Sequence, residues 1–323
     1  MNQIQVNKGR IKWVDAAKGM AILLVVYGHA LEGTHANIQF NNLAYEYQHG
    51  LIYSFHMPLF FLLSGYFINS WLHRPAGVAI KQKVVSLLVP YVVWSILQGA
   101  LMVVMHSKST VNHGWKTLLL IPIEPLDQFW FIYAMFFGLM IIYFLWRWTH
   151  RVIPAILISL IVILLTSNNQ VWQFQNIAIA TFYLGAGYYF KNNIGQMFLT
   201  NRWWFRGALI LFIMFFSIAF FYMSELLVNP LFKIVLAFLG SYVIMEMAQV
   251  IQPYWLVFLG RNSLEIYVSH WIFLAGSRTI LIHFGILNAG VLVGVTTVIG
   301  VLLPIVLYEV LKKLTLSRLF FGR

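Results

Sequence analysis

The chain has 323 residues, of which 61% are hydrophobic and only 9% charged, with a mean hydropathy of +0.79. This composition excludes a soluble globular domain and describes a polytopic membrane protein. The chain has no cysteine, which excludes disulfides, thiolate catalysis and Cys-ligated metals. A formal charge of +12 raises the question of nucleic acid, but the basic residues gather in alternate loops, so the excess is topological and no nucleic-acid partner is expected.

Ten apolar segments are expected to cross the bilayer, near 13–31, 51–71, 84–105, 127–146, 151–166, 174–190, 204–223, 230–250, 263–283 and 287–311. The first is too long for a signal-peptide core and is expected to be retained as a span. The N-terminal segment, the even-numbered connections and the C-terminal tail hold seventeen Lys and Arg, and the odd-numbered connections only Lys108, Lys116 and Arg278. By the positive-inside rule both termini are cytoplasmic. The expectation is a single all-α domain over 1–323, a bundle of about ten transmembrane helices.

The first span carries its own chemistry. Asp15 and Lys18 enter near its cytoplasmic end and His29 near its outer end. Eleven helical steps of about 100° return Lys18 and His29 to nearly the same face, about 16 Å apart along the axis. Asp15 is three residues from Lys18 and is expected to pair with it. Ionisable groups at membrane depth mark pathways or sites, although Asp15 and Lys18 also suit interfacial anchors. The second span brings His56 to the same outer half, with Pro58 expected to kink the helix there. His56 has a second reading, as a histidine bonded to the carbonyl that the proline frees.

The first and third connections are the longest outer loops, and they suit an acceptor site or a lid. The fourth span opens Asp127-Gln128-Phe129-Trp130-Phe131, where aromatics beside an acid serve as an interfacial belt or as a sugar-stacking surface. Trp203, Trp204, Arg202 and Arg206 read as an interface anchor. Glu225 falls in the outer turn after the seventh span. Lys233 and Glu246 lie in or near a span and read as structural. In the ninth segment Arg261 and Glu265 are one turn apart, and Ser263, Tyr267 and His270 fall on one stripe. Such a stripe faces the bundle interior, as glue or as a site. The helix N-terminus with Arg261 favours a bound phosphate. No P-loop, dinucleotide fingerprint, Gly-x-Ser-x-Gly elbow or metal-ligand spacing is present, so no metal site is expected.

Three stretches together resemble one family. Asp15-Ala16-Ala17-Lys18-Gly19-Met20-Ala21-Ile22 through Gly28-His29 resembles the first-helix motif of the integral-membrane (type-3) acyltransferases of bacterial glycan modification. Phe55-His56-Met57-Pro58-Leu59-Phe60-Phe61 through Ser64-Gly65-Tyr66 resembles the second helix, and Gly260-Arg261-Asn262-Ser263-Leu264-Glu265-Ile266-Tyr267 to His270 the late motif. Leu88-Val89-Pro90-Tyr91 and Phe129-Trp130-Phe131 are weaker echoes. The overall pattern is closest to the fucose O-acetylase-like branch. Lys18 departs from it, because arginine is common there. An appended esterase-like domain is not expected, so acceptor selection is expected within the membrane part and its loops.

The resemblance implies a bacterial plasma-membrane enzyme that moves an acyl group, usually acetyl, to a hydroxyl of an extracytoplasmic or lipid-linked sugar. Acyl-CoA is then the co-substrate, with no bound cofactor. His29 is the expected general base, Lys18 orients the donor, and Asp15 holds Lys18. Arg261, Asn262, Ser263 and Glu265 join Lys18 in donor binding, and His56, Asp127, Trp130 and Glu225 serve the acceptor. A covalent acyl-histidine stays open, as does the oligomeric state. A transporter or flippase for a polysaccharide or its lipid-linked precursor is the alternative, although no inverted repeat is evident.

Overall fold

A computed structural model gives the fold, and the structure describes residues 11–104, 115–166, 172–193 and 202–322. Lys8, Arg10, Lys108 and His113 of the loops discussed above lie outside the described residues. Among those described there is no strand. The chain runs through α1 (Lys12–Ile38), α2 (Asn42–Tyr53), α3 (His56–Gly65), α4 (Asn69–Leu72) and α5 (Ala76–Lys83), then a π-helical stretch (Val84–Leu88) and α6 (Val89–Val104). It continues with α7 (Trp115–Leu120), a 3₁₀ turn (Asp127–Phe129), α8 (Trp130–Thr149), α9 (Ile153–Thr166), α10 (Trp172–Asn193) and α11 (Arg202–Tyr222). A second 3₁₀ turn (Ser224–Leu227) leads to α12 (Pro230–Val250), α13 (Tyr254–Arg261), α14 (Ser263–His283), α15 (Ala289–Lys313) and α16 (Ser317–Phe321).

The protein is an all-α polytopic membrane protein, and each of the ten expected segments contains helix. Among the described residues, six helical stretches are long and apolar enough to cross a membrane by length and composition. The others differ for identifiable reasons. Helix α9 has 14 residues. Helices α10 and α14, with 22 and 21 residues, carry polar side chains such as Gln175, Asn176, Glu265 and His270 that lower their hydropathy.

Two departures from the sequence reading reshape the outer end. The expected first outer loop is mostly helix. Helix α1 continues to Ile38 and ends on Gln39, whose φ of 42° is left-handed and whose N–H bonds the His35 carbonyl. Helix α2 restarts at Asn42, with the Asn41 side chain accepting from the Ala44 N–H at 3.0 Å. Hydropathy ends at the last apolar residue, whereas backbone hydrogen bonding continues through Glu32, Thr34 and His35. The second departure is at Pro58, which does not kink a continuous span. The helix breaks at Ser54 and Phe55, and Pro58 sits in the first turn of α3, where a missing N–H costs little. The carbonyls freed at the end of α2 are taken by side chains: Ser54 Oγ donates to Leu51 O at 2.7 Å and His56 Nδ1 to Ile52 O at 2.8 Å. A similar accommodation precedes Pro90, where the π-helical stretch absorbs the lost hydrogen bond.

The core is set by close crossings at small residues. Gly19 of α1 faces the Leu256 carbonyl of α13, and Gly260 of α13 faces the Asp15 carbonyl and the Gly19 amide, so the two backbones touch. Gly65 against Leu184, and Gly187 against Leu62, join α3 to α10 in the same way. In lipid, where apolar burial between helices contributes little, such approach is the main source of helix association. The face of α1 at Val14, Ala16, Ala17, Ala21, Ile22, Val25 and Val26 is fully buried by these neighbours.

A Cβ at position 260 would overlap the Asp15 carbonyl, so Gly260→Ala should destabilise the detergent-purified protein by about 1–3 kcal/mol, read as a lowered unfolding midpoint. Gly276 has open space around it, and Gly276→Ala should stay within about 0.5 kcal/mol of the parent.

Candidate active site

Helix α1 brings two sites together, one at each end of the bundle. At the outer end, His29 is half-buried and its Nδ1 lies 3.3 Å from Glu32 Oε2, one turn along the same helix. Tyr53 of α2 completes the group. Its hydroxyl donates to Glu32 Oε2 at 3.2 Å and lies 3.4 Å from His29 Nδ1. Gly28 makes this possible, because its bare backbone admits the Tyr53 ring. Tyr53 also stacks on His49 at 3.8 Å and meets His56 edge-on at 4.7 Å. His270 of α14 stands on the other side of His29, with 5.3 Å between ring centroids.

The partners fix the tautomers. A backbone carbonyl only accepts, so the Nδ1 of His56 must donate to Ile52 O. The same holds for His270, whose Nδ1 lies 2.7 Å from Tyr267 O and 3.1 Å from Ile266 O. Each of these two histidines therefore turns an Nε2 lone pair outward, and that of His270 is buried without a hydrogen-bond partner. A carboxylate also only accepts, so His29 donates from Nδ1 to Glu32 and likewise presents Nε2 as a base. Among the described residues, His29 is the one member of the three with a carboxylate behind its ring.

His29, Tyr53 and His56 open onto a cavity of about 540 Å³, lined also by Gln128, Trp130 and Tyr267, with Gln175, Asn176 and Lys233 among the facing residues. The expected stripe on the ninth segment does two jobs here. Tyr267 donates its hydroxyl to the Gln128 carbonyl, and its ring meets Phe131 edge-on at 5.3 Å. The Gln128 side chain exchanges hydrogen bonds with Gln98 of α6 at 2.7 and 3.2 Å. Gln128 thus ties α6, α8 and α14 into one wall. Of the expected acceptor residues, His56 and Trp130 line the cavity and Asp127 and Glu225 do not. Asp127 adopts a left-handed φ of 39° and lies 3.5 Å from Gln98 Nε2. Glu225 is exposed in the 3₁₀ turn whose Leu227 and following Val228 line the cavity.

At the opposite end, Asp15 Oδ2 accepts from Arg261 Nε at 3.2 Å, across the α1–α13 crossing. The break at Asn262, between α13 and α14, turns Arg261 onto α1, and Glu265 is fully buried in α14. Asn262 donates its amide to Phe258 O at 2.8 Å, and Ser263 starts α14. Lys18 approaches the Phe67 ring, at 5.9 Å. It meets cations that sequence spacing did not single out. Lys191 of α10 lies 5.2 Å from Phe67 and 4.8 Å from Tyr66, and Lys83 of α5 lies 5.2 Å from Trp71. Three ammonium groups from three helices thus gather around one aromatic cluster.

The comparisons with known proteins give the family. A family model described as an acyltransferase domain, Acyl_transf_3, matches residues 11–309. The chain belongs to this acyltransferase family. The membrane acyltransferase is also similar to two curated relatives named nodulation protein NolL. It is 32% identical to that of Mesorhizobium japonicum over 139 residues, 40% of this chain and 34% of the relative. It is 32% identical to that of Sinorhizobium fredii over 124 residues, 38% of this chain and 32% of the relative. The match thus spans about a third of each relative's length. No solved structure matches the acyltransferase.

Removing the Tyr267 hydroxyl takes a side-chain donor from the Gln128 carbonyl. Tyr267→Phe should therefore lower stability by about 1–3 kcal/mol, measured by thermal unfolding in detergent.

Proposed function

We propose that this acyltransferase is an acyl-CoA-dependent O-acyltransferase of the bacterial plasma membrane. It moves an acyl group, most simply acetyl, to a hydroxyl of an extracytoplasmic or lipid-linked glycan. The observation that carries the reading is the Glu32–His29 pair at the cavity wall. A sugar hydroxyl is a poor nucleophile at neutral pH, and a positioned imidazole that accepts its proton contributes about 10²–10⁴-fold. In this reading the hydroxyl gives its proton to His29 Nε2 as its oxygen attacks the thioester carbonyl. The C–S bond then breaks, and His29 returns the proton to the departing sulfur, giving an ester and a free thiol. Glu32 holds the Nδ1 proton in place and stabilises the imidazolium that forms between the two transfers.

The donor enters from the basic end, which the positive-inside rule makes cytoplasmic. Lys18, Lys83 and Lys191 supply the charge that CoA phosphates need, with Arg261, Asn262 and Ser263 at the same end. Asp15 orients Arg261, and Glu265 supports α14 from within. The pantetheine arm follows α1 from Lys18 toward His29. The glycan occupies the outer cavity, where Trp130 offers an aromatic face and His56 and Gln128 offer polar edges, with Asp127 and Glu225 nearer the rim. Family membership favours this transfer chemistry over a transporter or flippase.

Two predictions follow from this arrangement. His29→Ala and His29→Gln should each lower transfer of labelled acetyl from acetyl-CoA by about 10²–10⁴-fold while the proteins insert and melt normally. Glu32→Gln should reduce kcat at least about tenfold with little change in donor KM. Near-normal turnover by His29→Ala would remove His29 from the mechanism and leave His270 or His56 in its place.

On the donor side, Lys18→Ala, Lys83→Ala and Lys191→Ala should weaken acetyl-CoA binding more than binding of acetyl-pantetheine, which lacks the nucleotide. Trp130→Ala should leave both donors nearly unaffected and raise the acceptor KM. Calorimetry on the four variants makes the comparison, and loss of CoA binding in Trp130→Ala would contradict the two-sided arrangement.

A further inference from the structure

Lys233 reads from sequence as a structural residue in a span, but it lines the same cavity as His29. It lies in the first turn of α12, just after Pro230 and the capping Asn229. All nine acidic residues of the chain fall within the described residues. None of them lines the cavity, and none makes an ion pair with Lys233. Among the described residues, histidines and tyrosine phenols aside, Lys233 is the one ionisable side chain in the wall. The other polar groups there include the carboxamides of Gln175 and Asn176 on α10.

Lys233 is exposed in the N-terminal turn of α12, so its ammonium is accessible to a ligand that enters the cavity. A lysine that only snorkels to lipid headgroups has no reason to share a cavity with a catalytic imidazole. A cation with two carboxamides is instead a receptor for an oxyanion. We infer that the cavity takes an anionic acceptor, and that Lys233 with Gln175 and Asn176 holds an oxyanion of the sugar while His29 faces the reacting hydroxyl. The inference rests on the acyl-transfer reading of this cavity and adds its acceptor class. The oxyanion has two sources, the carboxylate of an acidic sugar or the phosphate of a lipid-linked one.

Binding to the full chain in nanodiscs, without donor, tests this independently of turnover. The probes are a glucuronic-acid tetrasaccharide, a polyprenyl-diphosphate glucose, and neutral cellotetraose as control. At least one anionic probe should bind the parent protein about tenfold more tightly than cellotetraose, the gain expected of one charge-assisted contact. Which of the two binds identifies the source. Lys233→Met should lose that preference, Lys233→Arg should keep most of it, and rising salt should weaken it. The proposal is overturned if neither anionic probe outbinds cellotetraose, or if well-folded Lys233→Met retains the preference. His29→Ala should bind the probes as the parent does, so inactivity of that variant bears on the transfer reading and the binding series on this one.

Discussion

The crossing of α1 and α13 is the constraint on which the rest of the site depends. Gly19 and Gly260 bring two backbones into contact, and nothing larger fits between them. That contact fixes the depth of α1, and with it the positions of every polar group the helix carries. Asp15 is then within reach of Arg261 on the crossing helix. Four turns further along, His29 reaches the level of His270 and of the broken second span. A helix buried along one whole face has little freedom to slide or rotate, so the Lys18 and His29 ends are held at a fixed separation. This rigidity is useful where two substrates must meet along one helix, because misplacement by about 1 Å can cost 10²-fold in rate.

The break in the second segment matters for a different reason. A continuous span would have used the Ile52 carbonyl within its own ladder. The break releases that carbonyl, and His56 takes it with Nδ1. The released backbone is tolerated because it lies against protein and a cavity rather than lipid. The same break lets α2 tilt its Tyr53 against Gly28 and onto Glu32. Proline thus acts here through where the helix restarts, and the consequence is an ordered set of rings around His29.

Much of this was legible in the sequence. Hydropathy located every long helix, because a bilayer demands runs of apolar residues whatever their partners. The charged residues inside the first span stood out for the same reason, as did the polar stripe ending at His270. What escaped notice were features that depend on partners. Glu32 is three residues from His29, a spacing visible in the chain, but the apolar run ends at Leu31 and Glu32 was assigned to a loop. Helical hydrogen bonding does not stop where hydropathy does. Lys83 and Lys191 were counted as loop charges, since only the fold shows that α5 and α10 converge with α1 on Phe67 and Trp71. Asp15 also accepts from Arg261, 246 residues away, a tertiary contact that helical spacing cannot express.

The two ends of the bundle also divide the electrostatic work of the proposed reaction. The basic end holds several cations around an aromatic cluster, suited to a ligand whose charge stays there. Between the ends α1 is packed against apolar neighbours, where carrying a charge would be costly. A thioester arm is uncharged, so it alone need enter. In the proposed reaction the transfer at His29 would release no net proton, because the one taken from the hydroxyl returns to sulfur. In that reading the imidazolium exists only between these steps, with the Glu32 carboxylate beside it. The site therefore needs no proton channel to either surface. It needs a base whose positive form is stabilised locally and briefly, and a carboxylate one helical turn away on the same rigid helix meets that need with no reorganisation.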